Sequence, residues 1–342
     1  MKKKFFFLFI GVCFSFSAFL WLGDSMASGF PKKPKFTLKL GHCVPEDHPY
    51  HIGAVRFKEA AAFYSDGELR IDIFPNFQLG DEQDQNKAVQ MGTQDIAIGA
   101  INNAAPFWPP FNVFIMPYLF RSFEHAWNVA DGPVGAELKK AFLEKTGMRT
   151  IALFDLGFRS LSNSKRPIHK PEDLKKILFR VPKNPVMVET TRAMGAEAIP
   201  MAWDETFNAL KQGVVDGQDT PPGVTLSMKF YEARQKYYSL TKHFYAYAIV
   251  LMNEKKYQSL PPEIRTALDK SIRDAELYQR GYSVRYDEGA LAALEANGMK
   301  VNDIKDRTPF VKAVEPVWEK FSKDIPDLKT WGDKIKKVPS FH

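Results

Sequence analysis

Short segments with the alternating pattern of β-strands and longer segments with helical spacing follow one another along this chain. Residues 36–41 alternate with the period of two that strands have, and residues 69–74 and 95–99 are two further short β-like runs. Residues 52–64 and 81–91 lie between them and have helical spacing, and the second of these ends before a glycine suited to a helix C-cap. This strand–helix–strand order predicts a mostly parallel sheet covered by helices.

The same order begins again near Thr150, which predicts a second lobe of the same α/β class. Further strands or extended segments are expected at residues 151–156, 161–164, 177–182, 198–201, 237–240 and 245–252, and helices at 185–194 and 204–212. Asp204 is the candidate N-cap of the last helix. Because the chain has no Ser/Gly-rich linker, we expect strands that cross between the lobes to join them.

One long helical stretch, residues 262–297, distinguishes the C-terminal half. A helix of roughly 30 residues extends about 45 Å at 1.5 Å per residue, the width of a small domain. We therefore predict that this helix lies across both lobes. Lobe I is expected to comprise residues 28–156 and 246–285, and lobe II residues 157–245 and 286–342.

The N-terminus has the parts of a secretory signal peptide. Lysines at positions 2–4 precede an apolar run over residues 5–22, and small residues lead up to Ala27. Cleavage after Ala27 would make residues 1–27 a signal peptide. The alternative is an uncleaved anchor, because the run approaches the roughly 20 residues that span a bilayer. Cys13 lies inside the apolar run rather than at its end, which argues against a lipoprotein.

Removal of residues 1–27 leaves a chain whose stability depends on its apolar core. Cys43 is then the one remaining cysteine, so no internal disulfide can form. The formal net charge falls from +7 to +5, since three lysines and one aspartate are lost. No basic helix interleaved with aromatic residues is present, which argues against nucleic acid as a partner. Mild positive charge can steer an anionic ligand.

The sequence lacks signatures of catalysis and of metal binding. It has no Gly-x-Ser-x-Gly elbow, no phosphate-binding loop, no Gly-x-Gly-x-x-Gly, no His-Glu-x-x-His and no Cys-x-x-Cys. His48 and His51 could share one helix face, but His48 precedes Pro49, so we interpret this pair as the entry turn of a helix. No metal and no cofactor are expected.

Arg180 is an unusual residue for its position, because it lies within the apolar strand predicted at 177–182. An unpaired guanidinium is costly to bury, so Arg180 needs an anionic partner. That partner is either an internal aspartate or glutamate, or the carboxylate of a ligand. The planar guanidinium can bind a ligand carboxylate with two parallel hydrogen bonds.

Four segments, in their order and spacing, carry a resemblance to a known family. They lie at 74–82 (FPNFQLGDE), 116–120 (MPYLF), 157–167 with 179–182 (GFRSLSNSKRP and FRVP), and 209–221 (ALKQGVVDGQDTP). With these segments the chain resembles the DctP-type solute receptors of tripartite ATP-independent periplasmic (TRAP) transporters. The resemblance covers essentially the whole chain after residue 27.

The resemblance implies a two-lobed fold like that of periplasmic binding proteins, with a ligand cleft between the lobes. It implies a periplasmic receptor that captures a small organic acid and delivers it to membrane permease subunits driven by an ion gradient. We expect a monomer that binds a hydroxylated or doubly charged acid; a phosphorylated small molecule is the alternative ligand. The rival functions are a sensing protein for a receptor kinase and, less favoured, a secreted enzyme acting on a small acid.

The resemblance also assigns roles to residues of the cleft. Arg180 corresponds to the arginine that grips the ligand carboxylate, Arg159 to a common second contact, and Trp203 to an aromatic ring packed on the ligand. Glu82 and Asn103 are hypothesised to bind distal polar groups of the ligand, with solvated loop positions as the alternative for both. The remaining expected cleft residues are Cys43, Trp108 and Thr220.

Three of these positions carry specific expectations. Thr220 stands where the family usually has an asparagine that supports the ligand carboxylate, and a hydroxyl lacks the reach of that amide. Cys43 is expected as a buried thiol and not as a nucleophile. Trp108 is expected either in the cleft wall or as a ring of the apolar core.

Overall fold

The computed structural model describes residues 33–340, so the signal peptide predicted at residues 1–27 lies outside the described residues. Within them, nine strands form one mixed sheet. The strands are β1 (Phe36–His42), β2 (Leu69–Phe74), β3 (Ile96–Ala100), β4 (Met148–Asn163), β5 (Leu178–Val181), β6 (Glu197–Pro200), β7 (Gly217–Thr220), β8 (Tyr237–Asn253) and β9 (Lys300–Asp303).

Twelve α-helices accompany the sheet in residues 33–340, which confirms the predicted α/β fold class. They are α1 (Pro49–Tyr64), α2 (Glu82–Met91), α3 (Phe123–Asp131), α4 (Pro133–Thr146), α5 (Pro185–Ala193), α6 (Thr206–Gln212), α7 (Pro222–Ser227), α8 (Glu254–Ser259), α9 (Pro262–Ala296), α10 (Thr308–Ala313), α11 (Glu315–Asp324) and α12 (Leu328–Lys336). The long helix is confirmed as α9, which packs on α1 and also on α7 and β9. None of the described helices is both long and apolar enough to span a membrane.

The sheet has parallel strands on both sides of an antiparallel centre. Its order is β2-β1-β3-β8-β4-β7-β5-β6, and β9 pairs with β8. The β1–β2, β1–β3, β5–β6, β5–β7 and β8–β9 pairs are parallel, in line with the mostly parallel sheet that the sequence predicted, although β9 was not predicted. The β3–β8, β4–β8 and β4–β7 pairs are antiparallel, because β4 and β8 run through the middle of the sheet in opposite directions.

Strands β4 and β8 are each continuous, whereas the sequence predicted two separate pieces for each. Three irregularities interrupt their pairing, and at one of them Gly157 has a φ of 109°. Such bulges break the period-two alternation from which strands are identified in a sequence. One end of the pair carries β3, and the other end carries β7. Strands β4 and β8 therefore connect the two sides of the sheet.

Helix α6 begins later than predicted. Its N-cap residue is Glu205, which makes no side-chain capping bond, and the helix begins at Thr206. Asp204 lies instead in a turn that is closed by the hydrogen bond from Thr206 N to Trp203 O (3.1 Å). The turn takes the place of the side-chain cap that the sequence suggested.

Apolar side chains cover both faces of the central strand β8. Odd-numbered residues from Tyr245 to Leu251 belong to one buried cluster, and even-numbered residues from Ala246 to Met252 belong to another. Since successive strand residues point to opposite faces, the two clusters lie on opposite sides of the sheet. A strand buried on both faces reads as a continuous apolar run, which is how 245–252 appears in the sequence.

Helix α9 supplies hydrogen bonds that a neighbouring strand would otherwise supply to β4. Strand β7 pairs with β4 only at residues 160–163, so the earlier part of that edge has no strand partner there. Gln279 accepts from Asp155 N (2.7 Å) and donates to Asp155 O (2.8 Å). Glu276 accepts from Leu153 N (2.8 Å), and Arg280 donates to Leu153 O (2.9 Å). These side chains satisfy a buried sheet edge and fix the long helix against it.

The buried ion pairs of Arg280 should contribute strongly to stability. Arg280 also binds Asp131 and Glu276 and is nearly buried, so Arg280→Met leaves carboxylates and a carbonyl without their donor. We expect the free energy of unfolding in urea to fall by ~3–5 kcal/mol. Arg192→Met, which removes an exposed pair with Glu189, is the control and should cost less than ~1 kcal/mol. Equal losses in the two variants would contradict this assignment.

Candidate functional site

A cleft lies beyond the carboxyl ends of the parallel strands β1, β3, β5 and β7. This is where open α/β sheets bind ligands. Its empty volume, which includes open solvent at its mouth, is about 410 Å³. The irregular middle of β4 also contributes to it. The central antiparallel pair β4–β8 thus separates β1 and β3 from β5 and β7, and the residues that follow all four strands surround one cavity.

The structure brings six of the eight predicted cleft residues together. These are Glu82, Asn103, Arg159, Arg180, Trp203 and Thr220. Cys43 and Trp108 are not among the residues that line this cleft. The Cys43 thiol contacts Gly80 O (3.2 Å) and Gln85 Nε2 (3.1 Å), and burial raises the pKa of the thiol, which opposes thiolate formation. Trp108 packs against the larger apolar core, with its ring 5.9 Å from that of Phe111.

Arg159 is held in the cleft by an internal ion pair. Its Nε donates to Asp219 Oδ2 (2.7 Å), and its Nη2 donates to Asp219 Oδ1 (3.1 Å). His243 Nε2 lies 3.4 Å from the same Oδ2. Burial alone would raise the pKa of Asp219, but the Arg159 guanidinium and His243 hold that pKa well below its usual range. Asp219 therefore stays ionised and fixes the orientation of Arg159.

Arg180 has no comparable partner, because it forms no salt bridge with any carboxylate of residues 33–340. It is 3% exposed, and its Nη2 donates to Met201 O (2.8 Å). Its Nε is buried and has no hydrogen-bond partner. The guanidinium carbon lies 5.4 Å from the centre of the Trp203 ring, within the range of a cation–π contact. Of the two interpretations of Arg180, the internal salt bridge is therefore wrong.

The environment of Arg180 disfavours its positive charge. Burial, and after it the charge of Arg159, lowers the pKa of Arg180 to about 10. The guanidinium remains charged at neutral pH even so. A buried charged group with an unpaired N–H is an incomplete arrangement, and an anion placed beside it completes it.

Glu82 and Asn103 form a second polar group in the cleft. Asn103 Nδ2 donates to Glu82 Oε2, and Ala100 N donates to Glu82 Oε1 (3.2 Å). Burial, and after it the charge of Asp81, raises the pKa of Glu82 to about 7. Glu82 and Asn103 are 6% and 9% exposed. The alternative that these are solvated loop residues is therefore wrong.

The Thr220 hydroxyl is engaged within the protein. Its Oγ1 accepts from Gln218 Nε2 (2.9 Å) and lies 2.8 Å from Thr225 Oγ1. Thr225 Oγ1 donates to Pro221 O (3.1 Å) at the start of α7. Because Thr225 donates its hydroxyl proton to Pro221 O, Thr220 is the donor in its contact with Thr225. The Thr220 hydroxyl therefore has no proton left to donate into the cleft. Thr220 thus stabilises the wall of the cavity. It does not offer the ligand the hydrogen bond that the asparagine usual in the family would donate.

Sequence reasoning missed several residues that line the cleft. The polar ones are His48, Tyr50 and Asn102, and the apolar ones are Val44, Ala100, Leu156, Pro182 and Val224. Asn102 is 2% exposed, and neither its Nδ2 nor its Oδ1 has a hydrogen-bond partner. The available signal was its position in the short segment that follows the end of β3 at the cleft, next to Asn103.

His48 occupies the helix-entry position that the sequence predicted. It is the N-cap residue of α1, and its Nδ1 accepts from Tyr50 N (3.0 Å). Burial lowers the pKa of His48 to about 3, so the ring is neutral and carries its proton on Nε2. In residues 33–340, no three histidine, cysteine, aspartate or glutamate side chains are gathered as metal ligands.

Several known proteins that resemble this chain are periplasmic solute-binding proteins. The 2,3-diketo-L-gulonate-binding periplasmic protein of Escherichia coli K12 is 33% identical over 304 residues, which cover 88% of this chain and 92% of that protein. A TRAP periplasmic solute-binding protein from Polaromonas sp. JS666, solved with D-erythronate, has 31% identity and a TM-score of 0.85 over 90% of this chain and 100% of that chain. One from Roseobacter denitrificans OCh 114, solved with L-galactonate, has 32% identity and a TM-score of 0.81 over 87% and 99%.

The match extends to a family model as well as to individual proteins. The model of bacterial extracellular solute-binding proteins, family 7, called DctP, matches residues 40–324. That span includes every strand of the sheet except the first residues of β1, and every residue that lines the cleft. This chain therefore belongs to the DctP family of bacterial extracellular solute-binding proteins.

Proposed function

We propose that this protein is a periplasmic receptor that binds a small hydroxylated carboxylic acid in the cleft and delivers it to the membrane subunits of a TRAP transporter. Family membership supports the receptor role. The relatives named for 2,3-diketo-L-gulonate, D-erythronate and L-galactonate support a hydroxylated acid. The ligand is bound and released without chemical change.

The observation that carries this proposal is the unpaired guanidinium of Arg180. Its Nε has no partner, and its Nη2 donates only to Met201 O. A ligand carboxylate can accept from Nε and from one terminal nitrogen at once, in the two-bond geometry for which the guanidinium is shaped. Such a contact also neutralises the positive charge of Arg180, which burial and the charge of Arg159 disfavour.

Closure of two lobes around the acid supplies the signal for the transporter. We take lobe I as residues 28–156 with 246–285, and lobe II as 157–245 with 286–342. The crossing strands β4 and β8 connect these lobes, and their irregular pairing next to the cleft suits a hinge. Since the ligand contacts residues of both lobes, it favours the closed form, which the membrane subunits then recognise.

Glu82 and Asn103 are proposed to bind the hydroxyl groups of the acid at a distance from Arg180. A carboxylate oxygen accepts from a hydroxyl, and the amide of Asn103 is already held by Glu82. Glu82 and Asn103 lie in the same cavity as Arg180. This arrangement gives the ligand an anionic end and a neutral polar end.

Replacement of Arg180 should remove binding without harming the fold. We expect a saturating hydroxy acid at a hundred times its Kd to add about 2.7 kcal/mol to the stability of the wild-type protein. Arg180→Met should lose this stabilisation, and Arg180→Lys should bind about tenfold more weakly or worse, because an ammonium cannot make the paired contact. Thermal unfolding with and without D-erythronate or L-galactonate measures both effects.

Arg159→Met is the matched control for Arg180→Met. It leaves the buried Asp219 carboxylate unpaired, so the ligand-free protein should lose ~3–5 kcal/mol of stability. Arg180→Met should leave the ligand-free protein as stable as the wild-type protein or more stable, because it removes one hydrogen bond and no ion pair and also removes a buried charge that has no partner. Unfolding of the ligand-free Arg180→Met protein, or its full retention of ligand affinity, would refute the proposed role of Arg180.

Glu82→Gln should stabilise the ligand-free protein at high pH. Folding raises the pKa of Glu82 from 4.5 to about 7, so the folded protein binds this proton more tightly than the unfolded chain does. The wild-type protein therefore loses stability as pH rises from 4.5 to 7. A glutamine does not titrate, so the advantage of the variant should grow to roughly 3 kcal/mol by about pH 8.

Urea unfolding of both proteins at a series of pH values measures this difference. Glu288→Gln, at an exposed position on α9, is the control for the loss of a carboxylate at the surface. Parallel profiles for the wild-type protein and Glu82→Gln would show that Glu82 is not the buried titrating group inferred from its surroundings.

A further inference from the structure

Asn102 presents an unused amide to the cleft. It lies two residues after the end of β3, is 2% exposed, and neither its Nδ2 nor its Oδ1 has a hydrogen-bond partner. Buried amides with both polar atoms unpaired are rare, because each atom loses its hydration and gains nothing in return. Since Asn102 lines the same cavity as Arg180, the missing partner belongs to whatever occupies that cavity.

The backbone around Asn102 is held in place from two sides. Asn184 Nδ2 donates to Asn102 O (3.2 Å) and to Asn112 Oδ1 (2.9 Å), while Asn184 Oδ1 caps α5. Asn86 Nδ2 donates to Asn103 O (3.1 Å). These bonds fix the main chain on either side of the Asn102 side chain. The backbone that carries the Asn102 side chain is therefore preorganised beside the cleft.

The chemistry of an amide decides which ligand groups can satisfy it. Its nitrogen donates and its oxygen accepts, so a full match needs a ligand group that does both. A hydroxyl donates one hydrogen bond and accepts others, whereas an ionised carboxylate only accepts. A carboxylate placed at Asn102 would leave Oδ1 unpaired and would also lie in the cavity that holds Glu82.

We propose that Asn102 is a specificity-determining residue that forms hydrogen bonds with a hydroxyl group of the bound acid and disfavours a second carboxylate. This inference rests on the proposed function, in which Arg180 takes the carboxylate of the same ligand. The receptor therefore selects hydroxylated monocarboxylates over unsubstituted dicarboxylates of similar length.

Calorimetric titration of wild-type protein and Asn102→Leu with D-erythronate, L-galactonate and succinate tests this selection. The wild-type protein should bind at least one of the two hydroxy acids more tightly than succinate. Asn102→Leu has a similar volume and no polar atoms, so it should weaken that hydroxy acid by about tenfold to a hundredfold. Its affinity for succinate should change by less than about threefold.

The stability of the ligand-free variant separates a ligand-reading residue from a structural one. Because the Asn102 amide is unpaired, Asn102→Leu should melt at the same temperature as the wild-type protein or higher. Asn112→Leu is the matched control, since the Asn112 amide donates to Pro109 O (2.8 Å) and accepts from Asn184. That variant should melt at a lower temperature. Asn102→Ala replaces Asn102→Leu if leucine does not fit.

The outcomes distinguish the two proposals. If the wild-type protein binds none of the three acids, the proposed function fails and the role of Asn102 fails with it. If the wild-type protein binds a hydroxy acid and Asn102→Leu binds it equally well, the proposed function stands and the inference about Asn102 is wrong. A lower melting temperature for both ligand-free Asn102→Leu and ligand-free Asn102→Ala would likewise overturn it, because the amide would then be structural.

Discussion

Two guanidinium groups are buried in the cleft of this protein, and one carboxylate, Asp219, serves just one of them. The pair between Arg159 and Asp219 satisfies both charges and fixes them at the wall of the cavity. The positive charge of Arg180 is disfavoured by burial and by the neighbouring charge of Arg159. Its Nε is buried and has no hydrogen-bond partner. A buried charge without a partner is among the most costly features a fold can carry. The cavity is therefore built to be completed by an anion.

The architecture explains how this arrangement is held. Strands β4 and β8 run through the whole sheet and carry a parallel group at each side, so that the carboxyl ends of both groups meet at the cleft. Side chains of α9 satisfy the part of β4 that β7 does not reach. The pairing of β4 with β8 on its other edge is irregular at Gly157, close to this helix-covered segment. The long helix therefore holds one edge of β4 where its other edge deviates from regular pairing beside the cleft.

Much of the fold and part of the site could be predicted from the sequence. The strand at 69–74 and the helix at 262–297 followed directly from periodicity, and Arg180 was evident as a charge within an apolar strand. The ion pair of Arg159 with Asp219 could not be predicted, because it depends on the β4–β7 register, in which Leu161 lies opposite Asp219. Periodicity also divided β4 and β8 in two, because bulges reset the alternation. Asn102 was missed because unpaired atoms become visible only when every neighbour is placed.

The most direct test of this account is the Nε–H signal of Arg180, measured by NMR on protein labelled with ¹⁵N-arginine. The signal is identified by its loss in Arg180→Lys. We predict that it shifts strongly downfield when D-erythronate or L-galactonate is added, because Nε gains a charged acceptor. The Nε–H signal of Arg159 should change little, since it already donates to Asp219. A bound acid that leaves the Arg180 signal in place would contradict the central claim that this guanidinium receives the ligand carboxylate.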